Sequence, residues 1–278
     1  MERDVIRQRF TEIISRRDVE IDLAEAALFI AKEEYLDLDI EGYLSKLDRM
    51  AAVVRERIRG EIDPYQIIVQ INRYLFDEEG FFGNTYEYYE PMNSFLNDVL
   101  ERKTGIPITL SVIYLEIGRR LNFPLVGVGL PGHFIIKHIS SQREILIDPF
   151  TRGKILSEEE CAEMLNEIYG KDVPFRREFL ASTPKKQMLA RILTNLKGIY
   201  LHLQDYPRAL SAVERILLIN PRTPQEIRDR GMVYYKLEAL PKAMIDFETY
   251  LKLAPDAQDA SIIKQNIQLL GRLIAMMN

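Results

Sequence analysis

The chain has 278 residues, of which 47% are hydrophobic, enough for one large domain or two domains of ordinary size. Its formal net charge is −5 and acidic and basic residues are interspersed, so we expect no nucleic-acid binding. The charged N-terminal stretch does not resemble a secretory signal, and no apolar run is long enough for a membrane span, so no membrane association is expected. The single cysteine excludes an internal disulfide and fits the reducing cytoplasm.

The first part of the chain is predicted to be helical. Apolar residues recur every three or four positions over residues 3–15, 22–35 and 40–58, which gives each segment one apolar face. Asp63 and Pro64 then have the cap and first-turn chemistry of a fourth helix. We expect these helices to form a platform that covers one side of a core domain, and nothing in them indicates chemistry.

A loop rich in aromatic residues follows, between residues 80 and 93. It carries Tyr86, Tyr88 and Tyr89 within four positions. One interpretation is a recognition loop over a binding site, because aromatic rings give contact area at a low cost in entropy. The alternative is that the rings pin a long connection to the core, as buried aromatic side chains commonly do. Asn93 is predicted to cap the helix that follows.

Residues 104–150 are the stretch that looks most like a functional site. Gly105 and Pro107 favour a helix start, and an apolar face continues to about Leu121. After Pro124 the chain has three short runs rich in branched apolar residues: LVGVGL, HFIIKHI and EILIDPF. Such runs indicate buried antiparallel strands.

The pairing of the last two strands follows from the length of their loop. If residues 140–143 form a four-residue loop, Ile139 pairs with Glu144. His133 and Asp148 then lie on one face as diagonal neighbours, whereas an odd-length loop would separate them. The carboxylate would accept a hydrogen bond from the imidazole, as in a triad of nucleophile, base and orienting acid. A histidine in an apolar hairpin is also found as an ordinary core residue, so both interpretations stay open.

Four motifs together resemble the transglutaminase-like core of the bacterial SirB family: NSFLNDVLERK, GIPITL, LPGHF and IDPF. The resemblance covers essentially the whole chain, because members of that family continue into tetratricopeptide repeats. In catalytic members of the wider superfamily, which includes papain-type hydrolases, a cysteine opens the helix, a histidine follows on a strand and an aspartate on the next. His133 and Asp148 match the last two. Pro107, or a neighbour, stands where the cysteine is expected, and the nearest hydroxyls are those of Thr109 and Ser111. The resemblance thus implies the fold strongly and catalysis weakly.

The remaining cysteine and histidines indicate no metal site. Ser157 and Glu160 form a predicted capping box for a helix in which Cys161 lies on the apolar face, so we interpret it as a buried small hydrophobic residue. His138, at the polar end of its strand, is predicted to be solvated. Three scattered histidines without cysteine partners do not make a zinc site, and we expect no metal and no cofactor.

An internal repeat with a spacing of 34 residues follows residue 182. The recurring pairs are Tyr200 and Tyr234, Pro207 and Pro241, Ala209 and Ala243, and Pro221 and Pro255. The pattern matches tetratricopeptide repeats at about 189–222 and 223–256, each a pair of helices. A helix over 261–276 is predicted to close the array, because two repeats need neighbours to bury their faces.

We therefore predict an α+β fold in two parts. Residues 1–180 form a transglutaminase-like domain with a helical N-terminal platform and a small antiparallel sheet, and residues 183–278 form an all-α repeat module. The first helices of the repeats would line a groove whose basic side chains favour an acidic segment or a terminal carboxylate. These side chains are Arg191, His202, Arg228 and Lys236. An ordinary solvated charged face is the alternative.

Three functions compete at this point. The first is a cytoplasmic protein-interaction, assembly or regulatory factor, a pseudoenzyme that binds a protein or peptide, acidic in character, through its repeats and its tyrosine loop. The second is an acyl transferase or amide hydrolase, in which Thr109 or Ser111 attacks. In that enzyme His133 would be the general base and Asp148 would orient it, with backbone amides of the helix start as the oxyanion hole. The third is a binding site for a small ligand or a partner's side chain, without turnover.

Overall fold

The computed structural model of the protein describes residues 2–140, 144–170 and 173–277. The chain divides into two compact units, Met1–Ile192 and Leu193–Asn278. The first unit combines helices with a small antiparallel sheet, and the second is helical. The predicted α+β class is confirmed. Within the described residues no helix is long and apolar enough to cross a membrane.

The helices of the first unit follow the predicted apolar periodicity. They are α1 (Glu2–Ser15), α2 (Leu23–Lys32), α3 (Ile40–Arg57), α4 (Pro64–Asn72), α5 (Leu96–Arg102), α6 (Pro107–Arg120), α7 (Glu158–Tyr169) and the first turns of α8 (Lys185–His202). The carboxylates of Asp22, Asp39 and Asp63 each accept a backbone N–H at the start of a helix. Helices α2 and α3 pack on α6, whose residues 107–118 are buried, so the platform covers the core as expected.

The sheet carries the candidate site. Its strands are β3 (Leu125–Val128), β4 (Ile135–Ile139), β5 (Glu144–Asp148), β6 (Lys154–Leu156) and β7 (Ser182–Thr183), and their order is β6-β5-β4-β3-β7. All neighbours are antiparallel. Ile139 pairs with Glu144, and Ile136 pairs with Ile147, so the predicted register is confirmed. Of the predicted loop, residues 141–143 lie outside the described residues.

A short parallel pair, β1 (Phe82–Gly83) and β2 (Thr104–Gly105), ties the aromatic loop to the start of α6. Asn93 ends a 3-10 turn in this loop, and α5 begins only at Leu96 with Phe95 at its cap position. The prediction that Asn93 caps this helix is therefore wrong. Its side chain instead holds the loop, because its amide donates to the carbonyl oxygen of Glu87 at 2.7 Å.

His138 also departs from prediction. It is 5% exposed rather than solvated. Its ring stacks on Phe123 at 4.3 Å between centroids, and its Nδ1 donates to the carbonyl oxygen of Pro124 at 3.0 Å. Burial lowers the pKa of this imidazole, and the Pro124 carbonyl opposes the shift. The neighbours that bury His138 come from the loop before β3, which the strand's own pattern does not reveal.

The second unit contains the predicted repeat helices. After the last turns of α8 come α9 (Tyr206–Ile219), α10 (Pro224–Lys236), α11 (Leu240–Leu253) and α12 (Ala260–Met277). Pro207 and Pro241 lie in the first turns of α9 and α11, where a missing N–H removes no helix bond. Gly231 packs so tightly that an added Cβ would lie 2.8 Å from the Phe247 ring. Small residues at the repeat positions thus let the helices approach.

The boundary between the units falls inside α8, whereas the predicted boundary lies before it, at residues 180–183. The first turns of α8 pack on the sheet, where an added Cβ at Gly127 would lie 3.0 Å from the Met188 sulfur. The backbone N–H of Lys185 also donates to the Asp18 carboxylate at 3.0 Å. These contacts assign the start of the helix to the first unit.

Candidate functional site

The structure brings His133 and Asp148 together at the end of the β4–β5 hairpin. Nε2 of His133 lies 3.1 Å from Oδ2 of Asp148, and the two residues are 9% and 1% exposed. The distance is within hydrogen-bond range, but Nε2 has no aligned partner among the described residues, so the contact is not an aligned hydrogen bond. The predicted face-sharing of the two side chains is confirmed. The catalytic roles assigned to them stay predictions.

Both oxygens of the Asp148 carboxylate accept hydrogen bonds from the turn that follows β5. Oδ1 accepts the backbone N–H of Phe150 at 2.9 Å, and Oδ2 accepts the hydroxyl of Thr151. Burial raises the pKa of this carboxyl, but His133, Thr151 and the Phe150 N–H together hold it below its ordinary value. Asp148 is therefore ionised at neutral pH, and it caps the 3-10 turn Pro149–Thr151.

The hydroxyls proposed as nucleophiles make no hydrogen bond to His133. Thr109 donates to the carbonyl oxygen of Asn93 at 2.7 Å and accepts the N–H of Ile106 at 3.1 Å, which stabilises the first turn of α6. The Ser111 hydroxyl is fully buried and has no hydrogen-bond partner in the described part of the chain. Pro107 is the first residue of α6, as predicted, and it offers no attacking atom.

Cys161 does not supply the missing sulfur. It is completely buried in an apolar cluster of the first unit. The other buried members are Val128, Leu130, Ile135, Leu146, Leu156 and Leu180. Burial raises the pKa of the thiol to about 11, and the nearby charges of Asp148 and Glu160 add to the shift. The sulfur is a protonated core atom at neutral pH, in agreement with the interpretation from sequence.

The tyrosine loop divides its rings between core and solvent. Tyr88 packs edge-on to Phe150 at 6.4 Å between centroids, and Phe150 in turn lies edge-on to His133 at 5.9 Å. Tyr86 and Tyr89, in contrast, are 97% and 75% exposed. One ring therefore packs beside the His133 site while two project into solvent. The role of the loop in recognition stays a prediction.

Two buried asparagines keep the loop in this form. Asn84 donates from its side-chain amide to Oδ1 of Asn93 at 3.2 Å, and Asn84 Oδ1 accepts the N–H of Glu87 at 2.9 Å. Asn93 donates to the carbonyl oxygen of Glu87. We call Asn84 and Asn93 the asparagine clasp. In the sequence, these two asparagines flank the aromatic run. The motifs considered above did not predict that they hold the loop.

Arg191, predicted to line the repeat groove, belongs to the first unit and lies beside the turn that carries His133. It belongs to the part of α8 in the first unit, and its guanidinium carbon lies 5.7 Å from the centroid of the Phe134 ring. Nη1 is 3.4 Å from the carbonyl oxygen of Leu130, which also accepts the backbone N–H of His133 at 3.1 Å. The repeat spacing could not predict this position, because the spacing shows which residues recur and does not show which element each helical turn packs against.

The other predicted groove residues lie in the second unit. Arg228 pairs with Asp259 at 2.9 Å and with Asp229 at 3.0 Å, so acids of the same unit already compensate its charge. His202 and Lys236 are exposed. Their binding of an acidic segment stays a prediction. Among the described residues, no three or more His, Cys, Asp or Glu side chains form a group that could hold a metal ion.

Comparisons with known proteins divide the chain in nearly the same place as the structure. Residues 41–194 match the family model of the transglutaminase-like superfamily, and residues 196–268 match that of the tetratricopeptide repeat. The UPF0162 protein of Xylella fastidiosa (strain 9a5c) is 36% identical over 257 residues, which cover 90% of each chain. Protein SirB1 of Salmonella typhimurium is 26% identical over 246 residues, 88% of this chain and 91% of that one.

A eukaryotic protein contains a similar segment. F-box only protein 21 of Pongo abelii is 27% identical over 216 residues, which are 71% of this chain and 32% of that protein. The segment therefore forms about a third of a longer polypeptide there.

Proposed function

Because the chain belongs to the transglutaminase-like superfamily, and the side chains expected to attack a substrate are bound elsewhere or buried, we propose that it is a protein-binding factor. The resemblance to SirB proteins that the sequence predicted is confirmed by the matches to both family models and to SirB1 itself. In this proposal the transglutaminase-like unit recognises a partner without acyl transfer, and the repeats contribute further binding surface. A cytoplasmic location belongs to the proposal, since the single buried cysteine suits a reducing compartment.

One observation supports the proposal: the hydroxyls of Thr109 and Ser111 make no hydrogen bond to His133. An imidazole can act as general base only when an attacking group lies within hydrogen-bond reach. Thr109 is bonded to Asn93 and Ile106 instead, and Ser111 is fully buried. The remaining candidate, Cys161, is a protonated thiol in the core. Binding of a partner does not require an attacking group beside the imidazole.

The tyrosine loop supports a protein partner. Tyr86 and Tyr89 expose most of their rings although the asparagine clasp fixes the backbone between them. A rigid loop with exposed tyrosines loses little entropy on binding, and tyrosine is enriched at protein interfaces. Part of the chain also recurs inside a longer protein, F-box only protein 21, as expected for a recognition module.

Affinity capture with the full-length chain tests this function. We expect an identified partner to be retained by the wild type and lost when Tyr86 and Tyr89 are both changed to Ser. Ile62→Ser is the matched control, since Ile62 is 91% exposed and lies outside the loop. The proposal fails if no protein is retained, or if the double variant and the control retain the same partner equally.

An enzyme is the second candidate, and the short distance between His133 and an ionised Asp148 favours it. Its test is an electrophilic fluorophosphonate probe with the full-length protein. Labelling of Thr109 or Ser111 that is lost in His133→Ala would establish a hydroxyl nucleophile and overturn the binding proposal for this site. Absence of labelling is the outcome that the buried hydroxyls lead us to expect.

A further inference from the structure

We propose that Arg191 and His133 form a binding site for a carboxylate group of the partner. This inference rests on the proposed function, because it names the chemistry that the His133 site would recognise. It begins from Arg191, which makes no ion pair with a carboxylate in the described part of the chain. In contrast, the cations Lys197, Arg228 and Arg230 each pair with an acid at 2.9 Å or less.

The surroundings of Arg191 are apolar and aromatic. Its guanidinium lies over Phe134, and its Nη1 makes a long hydrogen bond, 3.4 Å, to the Leu130 carbonyl oxygen. Burial lowers the pKa of this guanidinium, and the phenol groups of Tyr88 and Tyr169 oppose the shift. A guanidinium remains ionised in proteins, and among the described residues no carboxylate pairs with this one, which makes its partial desolvation costly. An incoming anion would remove that cost.

Arg191 and His133 share a hydrogen-bond acceptor. The Leu130 carbonyl accepts from both residues, which places the guanidinium beside the turn that carries the imidazole. Gly132 in this turn has φ +72°, and an added Cβ would lie 2.8 Å from Ile168, so the turn is held firmly between its neighbours. Tyr88 packs edge-on to Phe150, which in turn lies edge-on to His133.

The charges of the site favour a ligand that carries one negative charge. Arg191 supplies one fixed positive charge, and the ionised Asp148 lies behind the imidazole at 3.1 Å. A carboxylate carries one negative charge and matches the planar fork of a guanidinium. A phosphate near neutral pH would bring additional negative charge close to Asp148, and like charges at short range repel. The site therefore fits an acidic side chain or a chain-terminal carboxylate of a peptide.

The test follows the imidazole Hε1 signals by NMR in the full-length protein, which has three histidines, with His133 assigned from His133→Gln. The probes are N-acetyl-glutamate methylamide, which carries only a side-chain carboxylate, and N-acetyl-alanine, which carries only a terminal one. N-acetyl-glutamine methylamide and inorganic phosphate are the comparison probes. We expect a saturable shift of the His133 signal with a carboxylate probe, and the better probe identifies the source of the group. The glutamine probe should give none.

Two variants separate the charge of Arg191 from its packing. Arg191→Gln should weaken carboxylate binding by roughly tenfold or more, and Arg191→Lys should retain part of it because the charge remains. Arg57→Gln is the matched control, since Arg57 also lies over a ring, Tyr74 at 5.3 Å, but already pairs with Glu78. Its binding should equal that of the wild type.

Several outcomes would overturn the inference. They are equal binding of the glutamate and glutamine probes, tighter binding of phosphate than of either carboxylate, and unchanged binding in Arg191→Gln. The result is separable from that of the proposed function. A captured protein partner without carboxylate binding would reject this inference alone, whereas carboxylate binding without any protein partner would reject the protein-binding function and leave a small-ligand site.

Discussion

Asn72 donates from its side-chain amide to the carbonyl oxygen of Gly153 at 2.8 Å, which fastens the end of α4 to the turn after Asp148. The Asn72 Oδ1 accepts the buried hydroxyl of Tyr114 in α6 at 3.0 Å. The backbone N–H of Gly153 completes the turn by donating to the carbonyl oxygen of Asp148 at 2.8 Å. The position of the Asp148 carboxylate thus depends on a residue of the helical platform.

Gly153→Ala should destabilise the protein. Gly153 has φ +72°, which costs an L-residue about 1–2 kcal/mol, and its Cβ would overlap the Asn72 amide, which adds about 1–3 kcal/mol of overpacking. Urea unfolding measures the loss. Gly60→Ala is the control, because Gly60 has φ +80° with no atom within 4 Å of its Cβ position. Equal losses in the two variants would show that the contact with Asn72 contributes nothing.

Asp148→Asn should reduce stability by about 1–3 kcal/mol at neutral pH, because a buried carboxylate loses its charge-assisted bonds. The folded-state pKa of Asp148 lies below its unfolded value. Its contribution is therefore fully present above the unfolded pKa of about 3.9 and is lost as the pH falls through the folded pKa.

Chemical unfolding of both proteins between pH 7 and pH 2 measures this difference. The stabilities of wild type and variant should differ by a constant amount above about pH 5 and converge toward acid pH. Asp77→Asn is the control, since Asp77 is an exposed carboxylate of the same unit. A difference that does not change with pH would contradict the assignment of the lowered pKa to Asp148.

Asn93→Ala should release the tyrosine loop. The change removes the donor to the Glu87 carbonyl and the acceptor for Asn84, and it leaves buried polar groups unpaired at a cost of about 1–3 kcal/mol. Amide hydrogen exchange over residues 84–93 should become faster. Asn97→Ala serves as the control, because Asn97 is also buried but bonds to Asp98. Exchange in the loop that is equally fast in both variants would argue against the clasp.

Two glycines of the repeat helices should respond in opposite directions to alanine. Gly231→Ala places a methyl group 2.8 Å from Phe247 and should destabilise the second unit by about 1–3 kcal/mol. Gly198→Ala meets no atom within 4 Å and should stabilise its helix by about 0.5–1 kcal/mol. Thermal unfolding of the two full-length variants compares them. A gain in stability for Gly231→Ala would show that α10 and α11 have room between them.

Strand alternation, helix-start preferences and repeat spacing were sufficient to predict the positions of residues that depend on neighbours close in sequence. Side chains alternate along a strand with a period of two, so one correct pair, Ile139 with Glu144, was enough to place His133 and Asp148 on the same face. Pro107 was likewise placed at the first turn of α6 because its ring and its missing N–H suit that position alone. The repeat positions around Gly231 follow from spacing in the same way.

Residues whose neighbours are distant in sequence were not predictable by these rules. Arg191 has the spacing of a repeat residue, but the turn of α8 that carries it packs on Phe134 of the first unit. His138 is buried by Phe123 and Pro124 of the loop before β3. Asn93 has the chemistry of a helix cap, and its amide serves the loop instead. In each case a tertiary contact overrides a correct local preference.

Asp148 contacts the His133 imidazole and also caps the turn after β5, and the second role affects how such sequences are interpreted. Its carboxylate accepts the Phe150 N–H and the Thr151 hydroxyl, so the bend after β5 requires an acid at this position whether or not any reaction occurs nearby. The aspartate therefore has a structural role that does not depend on turnover. A histidine and an aspartate in this arrangement therefore do not by themselves establish catalysis, because a general base also needs an attacking group within hydrogen-bond reach.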